Sequence, residues 1–136
     1  QANVGEAYKY LEDDYDTTVT KLSITQTAYR YGQNILIAYG RQDKIYSRTL
    51  LAKAGNELLG ISGIKAVFIV GRTAKEEVSI SARSSTDINV QLIMEKMGGG
   101  GHFSMAACQL KYEDITIVIN LLEEAINVYL DERTND

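Results

Sequence analysis

Uninterrupted runs of apolar residues are the first feature of the chain, and they predict buried strands. Residues 34–39 form one run, apolar after Asn34 and ended by Gly40, and residues 66–70 form a second. Strands that are apolar throughout are typical of a sheet covered by helices on both faces. The two runs therefore predict the centre of a layered α/β sheet.

Residues 77–84 follow a different pattern, in which apolar and polar side chains alternate. Val78, Ile80 and Ala82 are predicted to face one side of a strand, whereas Ser79, Ser81 and Arg83 face the other. Such alternation is typical of an antiparallel or edge strand. It places Arg83 on the polar face at the carboxyl end of that strand.

Between these strands, apolar positions recur with the spacing of helices. Ser47 is predicted to cap a helix that ends at Gly60. Asn89 or Asp87 is predicted to cap a helix that ends at Gly98, and Asp114 is predicted to cap the last helix. Further predicted elements are helices over 4–15 and 16–30, a charged turn over 72–77 and a short strand over 106–110. The order predicts one α/β domain with a mixed sheet flanked by helices, after a helical lead-in.

Composition narrows the class of protein. The chain has 136 residues, of which 45% are hydrophobic, so it is long enough for one core and too short for two. A net charge of −4 argues against wrapping long nucleic acid, although a short phosphorylated ligand fits a local positive pocket. The one cysteine, Cys108, excludes an internal disulfide and indicates a cytosolic protein. The chain begins without Met, and we interpret it as a fragment of a longer polypeptide.

Four consecutive glycines, Gly98–Gly101, precede the chain's one histidine, His102. Adjacent glycine amides can point into one concavity that suits a phosphate, and an imidazole adds a directional hydrogen bond. A flexible linker is the alternative, but the flanking segments look ordered, so we favour an anion-binding loop. No Gly-Lys-Ser/Thr follows, which argues against a nucleotide P-loop. Alanine at Gly100 should then do harm, either by blocking phosphate or by opposing a positive φ.

Arg83 and His102 are the side chains that we expect to carry the function. An arginine fork can hold two phosphate oxygens, and Ser84 or Ser85 can add a hydroxyl donor. A surface ion pair for Arg83 and a capping or core position for His102 are the alternatives. Cys108 is expected to be a small buried hydrophobe, and the acidic group at residues 12–16 a solvated helix end. Most of the nine tyrosines are expected to pack or face a partner, although one could stack on a base.

Catalysis by this chain alone is not predicted. Hydrolysis by metal ions needs several Asp, Glu or His ligands around the cations, and the sequence has one histidine and no convergent carboxylate set. The residues therefore indicate a binding domain with no metal or cofactor of its own.

The motifs resemble a known family. Residues 80–84 (Ile-Ser-Ala-Arg-Ser), residues 88–102, which run from Ile-Asn-Val-Gln into the glycines and His102, and Ala106-Ala107 closely resemble the DHHA1 domain of DHH-type phosphoesterases. Within that group they are most similar to the cyclic-di-AMP phosphodiesterases of the GdpP (YybT) family. The resemblance covers the chain from about residue 34 onward. Residues 1–30 resemble a helical connector from a DHH domain, and residues 31–136 the DHHA1 substrate-binding domain.

The resemblance implies that a DHH domain of the same polypeptide holds two manganese ions and that this domain grips the phosphate of a cyclic or linear dinucleotide. The matching positions are Arg83, Ser84, Gly99, Gly100, Gly101 and His102. It further implies a membrane-anchored parent protein with this domain on the cytoplasmic side. A homodimer and short RNA remain open as partners. The alternatives are an oligoribonuclease-like or RecJ-like exonuclease, and a DHHA1-type RNA-binding module without hydrolase activity.

Overall fold

The fold is a mixed sheet with helices on both faces, as the sequence predicts, and the sheet has six strands where four were predicted. A computed structural model describes residues 14–111 and 114–135. The elements are α1 Tyr15–Thr25, β1 Tyr29–Tyr31, β2 Ile35–Tyr39, α2 Arg48–Leu59, β3 Ala66–Ala74, β4 Glu77–Ser84, α3 Val90–Lys96, β5 Gly100–His102, β6 Met105–Leu110 and α4 Ile115–Asn135. The helix predicted over residues 4–15 lies almost wholly outside the described residues, as do residues 12 and 13 of the acidic group. Asp14 and Asp16 are exposed at the start of α1, where Asp14 Oδ1 accepts from the Thr17 amide at 2.7 Å and Asp16 lies in the first turn. None of the four helices within them is both long and apolar enough to span a membrane.

The strand order across the sheet is β1-β2-β3-β4-β6-β5. β2 and β3 run parallel, joined through α2, and every other neighbouring pair is antiparallel. β4 is antiparallel to both of its neighbours and lies inside the sheet. The alternating pattern thus indicated the antiparallel pairing correctly, and the edge positions belong to β1 and β5.

Two apolar cores lie on opposite faces of the sheet. On one face α1 and α2 pack against alternate residues of β2 and β3, among them Val67 and Ile69. On the other face α3 and α4 cover the remaining alternate residues of these strands together with the apolar side of β4, including Phe68 and Ile80. Burial on both faces explains why β2 and β3 are apolar throughout.

The predicted helix starts are confirmed by hydrogen bonds from side chains. Ser47 Oγ accepts from the Leu50 amide at 3.0 Å, and Asn89 Oδ1 from the Leu92 amide at 3.2 Å. Asp114 Oδ1 accepts from the Thr116 amide at 2.8 Å. Of the two candidate caps of α3, Asn89 is therefore the cap, and Asp87 forms an ion pair with Lys65.

The helix predicted over residues 16–30 is wrong in its last part, because α1 ends at Thr25. Thr27 uses its hydroxyl to accept from the Tyr39 amide at 2.8 Å, which joins the chain to β2 instead of continuing a helix. The following residues pair with β2 as the edge strand β1, with Arg30 opposite Leu36. A domain boundary between residues 30 and 31 would cut this strand.

The charged turn predicted over residues 72–77 is also wrong, because β3 continues to Ala74 and only residues 75 and 76 form the turn. Arg72 is 7% exposed. Its Nε donates to the Gln42 carbonyl at 3.1 Å and its guanidinium to the Lys75 carbonyl at 2.7 Å. The buried guanidinium thus supplies two loop carbonyls with the hydrogen bonds that solvent would otherwise donate.

Candidate functional site

The first two glycines of the run terminate a helix. Gly98 has φ +87°, and its amide donates to the Glu95 carbonyl at 3.1 Å. The Gly99 amide donates to the Met94 carbonyl at 2.8 Å. This pair of bonds is the Schellman ending of an α-helix, with glycine in the left-handed conformation. The prediction of an open loop whose amides all face one concavity is therefore wrong for Gly98 and Gly99.

The remaining part of the motif forms the edge strand β5, which pairs closely with β6. A Cβ atom on Gly99 would lie 2.3 Å from the Ala107 carbonyl oxygen. On Gly101, which has φ +147°, it would lie 2.5 Å from Ala106 Cα. Gly100 differs from both, since a Cβ there would have no neighbour within 4 Å, and unlike Gly101 it does not have a positive φ. Two glycines thus permit the hairpin to form, and Gly100 leaves open space.

Strand register brings Arg83 and His102 onto one face of the sheet. Arg83 on β4 lies opposite Met105 on β6, and Met105 lies opposite His102 on β5. Residues directly opposite each other in antiparallel strands point to the same side. Since neighbouring strands are about 4.8 Å apart, the backbones of Arg83 and His102 are separated by about 10 Å. We refer to these three residues as the arginine–histidine row.

A second row lies one step further along the same strands. Ser81 on β4 is opposite Ala107 on β6, which is opposite Gly100 on β5. Because side chains alternate along a strand, this row shares its face with the arginine–histidine row. The two rows together make a shallow floor, of which the second row consists of small residues.

This floor opens into a cleft of about 400 Å³. α2 packs on β3 and β4, whereas β6 and β5 extend the sheet beyond the helix and leave this face uncovered. The walls and floor of the cleft comprise Arg48, Thr49, Leu51, Ala52, Ser79, Ile80, Ser81, Arg83, Gly100, Gly101, Met105, Ala106, Ala107 and Gln109. Its size and its apolar walls with a few polar groups are typical of a small-molecule site.

Arg83 carries a partly buried positive charge in this cleft. Its stem packs against α2, with Cγ 3.4 Å from the position that a Cβ on Gly55 would occupy. One terminal nitrogen donates to the Ala82 carbonyl at 2.8 Å, whereas the buried Nε has no hydrogen-bond partner among the described residues. No carboxylate of residues 14–111 or 114–135 pairs with it, and burial lowers the pKa of the guanidinium from its usual value. A desolvated cation without a counterion is suited to receive an anion.

Ser84 and His102 occupy different surroundings from Arg83. Ser84 is buried on the opposite side of β4, where its hydroxyl donates to the Phe103 carbonyl at 3.2 Å and its amide to the Ser104 carbonyl at 3.0 Å. The structure thus ties Ser84 to the β5–β6 turn and does not bring its hydroxyl into the cleft. His102 is exposed at the end of β5, opposite Met105, and is not itself among the residues that line the cleft.

Sequence reasoning missed most polar residues of the cleft, which include Arg48, Thr49 and Ser79 as well as Ser81 and Gln109. Ser81 and Gln109 are the two that lie on the floor without a partner among the described residues. Neither side chain forms a hydrogen bond with any described residue, and both contribute to the lining. The alternation of β4 placed Ser81 beside Arg83 on one face, and that was the available signal. Gln109 lies in the cleft because the register between β4 and β6 puts it opposite Ser79, and the sequence does not reveal that register.

Cys108 and several of the tyrosines contact other parts of the fold and do not line the cleft. Cys108 is buried, as predicted; its Sγ donates to the Met97 carbonyl at 3.3 Å, and burial raises the pKa of the thiol. Two tyrosines of β1 join that strand to α4: the Tyr29 hydroxyl donates to the Glu123 carboxylate at 2.7 Å, and the Tyr31 hydroxyl donates to Asn127 Oδ1 at 2.8 Å.

Within the described part of the chain, no group of three or more His, Cys, Asp or Glu could hold a metal ion. These described residues therefore do not fit a manganese centre.

Comparison with curated proteins identifies clear relatives. The chain is 36% identical over 121 residues to the cyclic-di-AMP phosphodiesterase PdeA of Listeria monocytogenes, covering 89% of this chain and 18% of that protein. It is 34% identical over 125 residues to the cyclic-di-AMP phosphodiesterase GdpP of Bacillus subtilis, covering 90% and 19%. The chain therefore spans about a fifth of the length of these relatives.

Solved structures share the fold at low sequence identity. An exopolyphosphatase-related protein from Bacteroides fragilis superposes with a TM-score of 0.77 at 16% identity, over 88% of this chain and 36% of that one. The C-Ala domain of Aquifex aeolicus alanyl-tRNA synthetase gives a TM-score of 0.55 at 18% identity, over 72% and 96%. The model of the DHHA1 domain family matches residues 32–128. The chain belongs to the DHHA1 domain family.

Proposed function

We propose that this domain binds the phosphate of a dinucleotide for a cyclic-di-AMP phosphodiesterase. The two relatives named as such enzymes are 34% and 36% identical to the chain, which is the level expected of a shared domain. Because the chain spans about a fifth of their length, the reaction itself is assigned to a longer protein. A DHH domain in that protein would be the partner of this one, as the relatives' greater length allows.

The observation that carries this proposal is the state of Arg83. Within the described part of the chain this guanidinium has no carboxylate partner and its buried Nε has no hydrogen-bond partner, and such a partly desolvated cation costs free energy unless an anion joins it. It lies at the floor of a cleft, in one row with the imidazole of His102. A phosphate between them would accept hydrogen bonds from both side chains.

The glycines and Ser84 have distinct parts in this proposal. Gly100 lies open beside the row, so its lack of a side chain lets a phosphate come close to β5. Gly99 and Gly101 allow β5 to come close to β6, and this pairing positions His102. Ser84 acts indirectly, since it holds the turn that follows His102.

The water-activating chemistry is not assigned to this chain. Metal-assisted phosphodiester hydrolysis requires a set of Asp, Glu or His ligands, and none is found within residues 14–111 and 114–135. Such ligands belong in our proposal to the DHH domain of the longer protein, which we expect to be membrane-anchored with this domain on the cytoplasmic side. What this chain contributes is binding and orientation of the substrate.

Replacing Arg83 by methionine in the longer protein tests the proposal. Arg83→Met keeps an unbranched stem against Gly55 and removes the charge, so stability should change little. We expect kcat/KM for cyclic di-AMP to fall by about 10- to 100-fold, the effect of losing hydrogen bonds to a charged group. Hydrolysis of bis(p-nitrophenyl) phosphate, a small diester that need not reach the cleft, should change by less than about threefold.

Arg41→Met is the matched control, because Arg41 is exposed and pairs with Asp43 away from the cleft. It should leave both reactions unchanged. Unchanged turnover of cyclic di-AMP in Arg83→Met, with the protein folded, would show that Arg83 has a structural role and would refute the proposal.

A further inference from the structure

The cleft continues past the arginine–histidine row, and this extension has a chemistry of its own. Its floor is formed by Gly100 and Ala107, and Ala52 of α2 contributes to the wall. Glycine and alanine are the smallest residues, so they leave a slot with flat, apolar surfaces. A planar aromatic ring fits such a slot better than a flexible or charged group.

Polar groups occur further along this slot. Ser81 and Gln109 line it, and neither side chain forms a hydrogen bond with any residue in the described ranges. Gln109 pairs with Ser79 across β4 and β6, two rows beyond Arg83. Ser79 is engaged elsewhere, because its hydroxyl lies 2.6 Å from the Thr73 hydroxyl. Ser81 and Gln109 are therefore available to a ligand, as is the hydroxyl of Thr49, whereas Arg48, which also lines the cleft, pairs with Glu77 at 3.2 Å.

The spacing of these groups matches the parts of one nucleotide. Arg83 lies four positions after Ser79, which is opposite Gln109, and this corresponds to about 13 Å along β4. Ser81 lies about midway. A phosphate at Arg83 would place a sugar over the small residues and the base near Gln109.

We propose that this slot binds the nucleobase next to the gripped phosphate and selects adenine through the Gln109 side chain. The inference rests on the proposed function, because the phosphate at Arg83 fixes where the base lies. A carboxamide presents one donor and one acceptor, and this pair matches N7 and the N6 amino group of adenine. Guanine presents acceptors at both corresponding positions, N7 and O6, so the side-chain oxygen of Gln109 would face another acceptor.

Binding of three probes to the 136-residue protein, measured by NMR titration, tests this site. The probes are adenosine 5′-monophosphate, guanosine 5′-monophosphate and ribose 5-phosphate, which has the phosphate and sugar without a base. We expect the adenine nucleotide to bind most tightly. Gln109→Ala should weaken its binding by about tenfold and leave ribose 5-phosphate unchanged. Gln109 is exposed, so this variant should fold normally. Gln33→Ala, which removes an exposed glutamine between β1 and β2, is the matched control and should bind all three like the parent.

The outcomes separate the base site from the phosphate site. Equal affinity for the adenine nucleotide and ribose 5-phosphate, with both weakened by Arg83→Met, would overturn the base slot and leave the phosphate site standing. Equal affinity for the adenine and guanine nucleotides, or no effect of Gln109→Ala, would overturn adenine selection by Gln109. Binding of all three probes that Arg83→Met leaves unchanged would overturn the phosphate site, and the base slot with it.

Discussion

The four glycines of the motif perform different tasks, although they are chemically identical. Gly98 ends α3 in a left-handed conformation, Gly99 and Gly101 let β5 approach β6, and Gly100 borders the cleft. Of the two ways in which alanine at Gly100 was expected to do harm, the positive φ is therefore excluded. Obstruction of a ligand remains.

Alanine substitutions should separate these tasks. Gly101→Ala is expected to lower the free energy of unfolding by about 2 kcal/mol or more, because its Cβ would lie 2.5 Å from the backbone of β6 and its φ is +147°. Gly100→Ala should leave stability unchanged or raise it by about 0.5 kcal/mol, through a less flexible unfolded chain. Urea denaturation of both variants measures the difference. Equal losses of stability would contradict the distinction.

At the scale of elements, the β3–β4 hairpin depends on a buried arginine. Arg72 donates to the carbonyls of Gln42 and Lys75, and its replacement leaves both without that donor. Arg72→Met should lower the free energy of unfolding by about 1.5–3 kcal/mol, the range for hydrogen bonds to charged groups. Arg30→Met, at an exposed position of β1, is the control and should change it by less than about 0.5 kcal/mol.

Nucleotide binding should be the same in both variants once they are folded, because neither residue lines the cleft. The urea midpoints and the affinity for adenosine 5′-monophosphate are the measurements. A stable Arg72→Met protein would mean that the buried hydrogen bonds contribute little.

Local sequence signals predicted β2, β4 and the capped helix starts well, because apolar runs, alternation and capping side chains act within a few residues. The short edge strands β1 and β5 were missed, since each has three residues and is defined by its pairing partner. Burial of Arg72 was missed for the same reason: its acceptor on Gln42 lies 30 residues away.

The candidate site was predicted in part. Arg83 and His102 were singled out by residue type and motif, and register does place them on one face of the sheet. The nest of amides was not found, because the end of α3 uses two of them. Gln109 and the cleft itself arise from the register between β4 and β6 and from the point at which α2 stops covering the sheet, which no local pattern encodes.

At the scale of the whole molecule, charge distinguishes a dinucleotide site from an RNA surface. The net charge of −4 gives the chain little general attraction for a long polyanion, so binding should depend on the local cation Arg83. The affinity for a linear diadenylate should therefore fall only about two- to threefold between 50 and 200 mM salt. A fall of 10³-fold or more would be typical of a protein that contacts many phosphates, and would favour the RNA-binding alternative.

The most direct test of the central claim is a map of amide chemical shifts as the 136-residue protein is titrated with linear diadenylate. Our account predicts that the changes concentrate on the two rows and their continuation: Ser81, Arg83, Gly100, His102 and Gln109. Amides of β1 and of α4, at the other edge and on the other face of the sheet, should stay unchanged. Changes confined to α4 or β1, with the amides of Arg83 and Gly100 unaffected at saturation, would contradict the account.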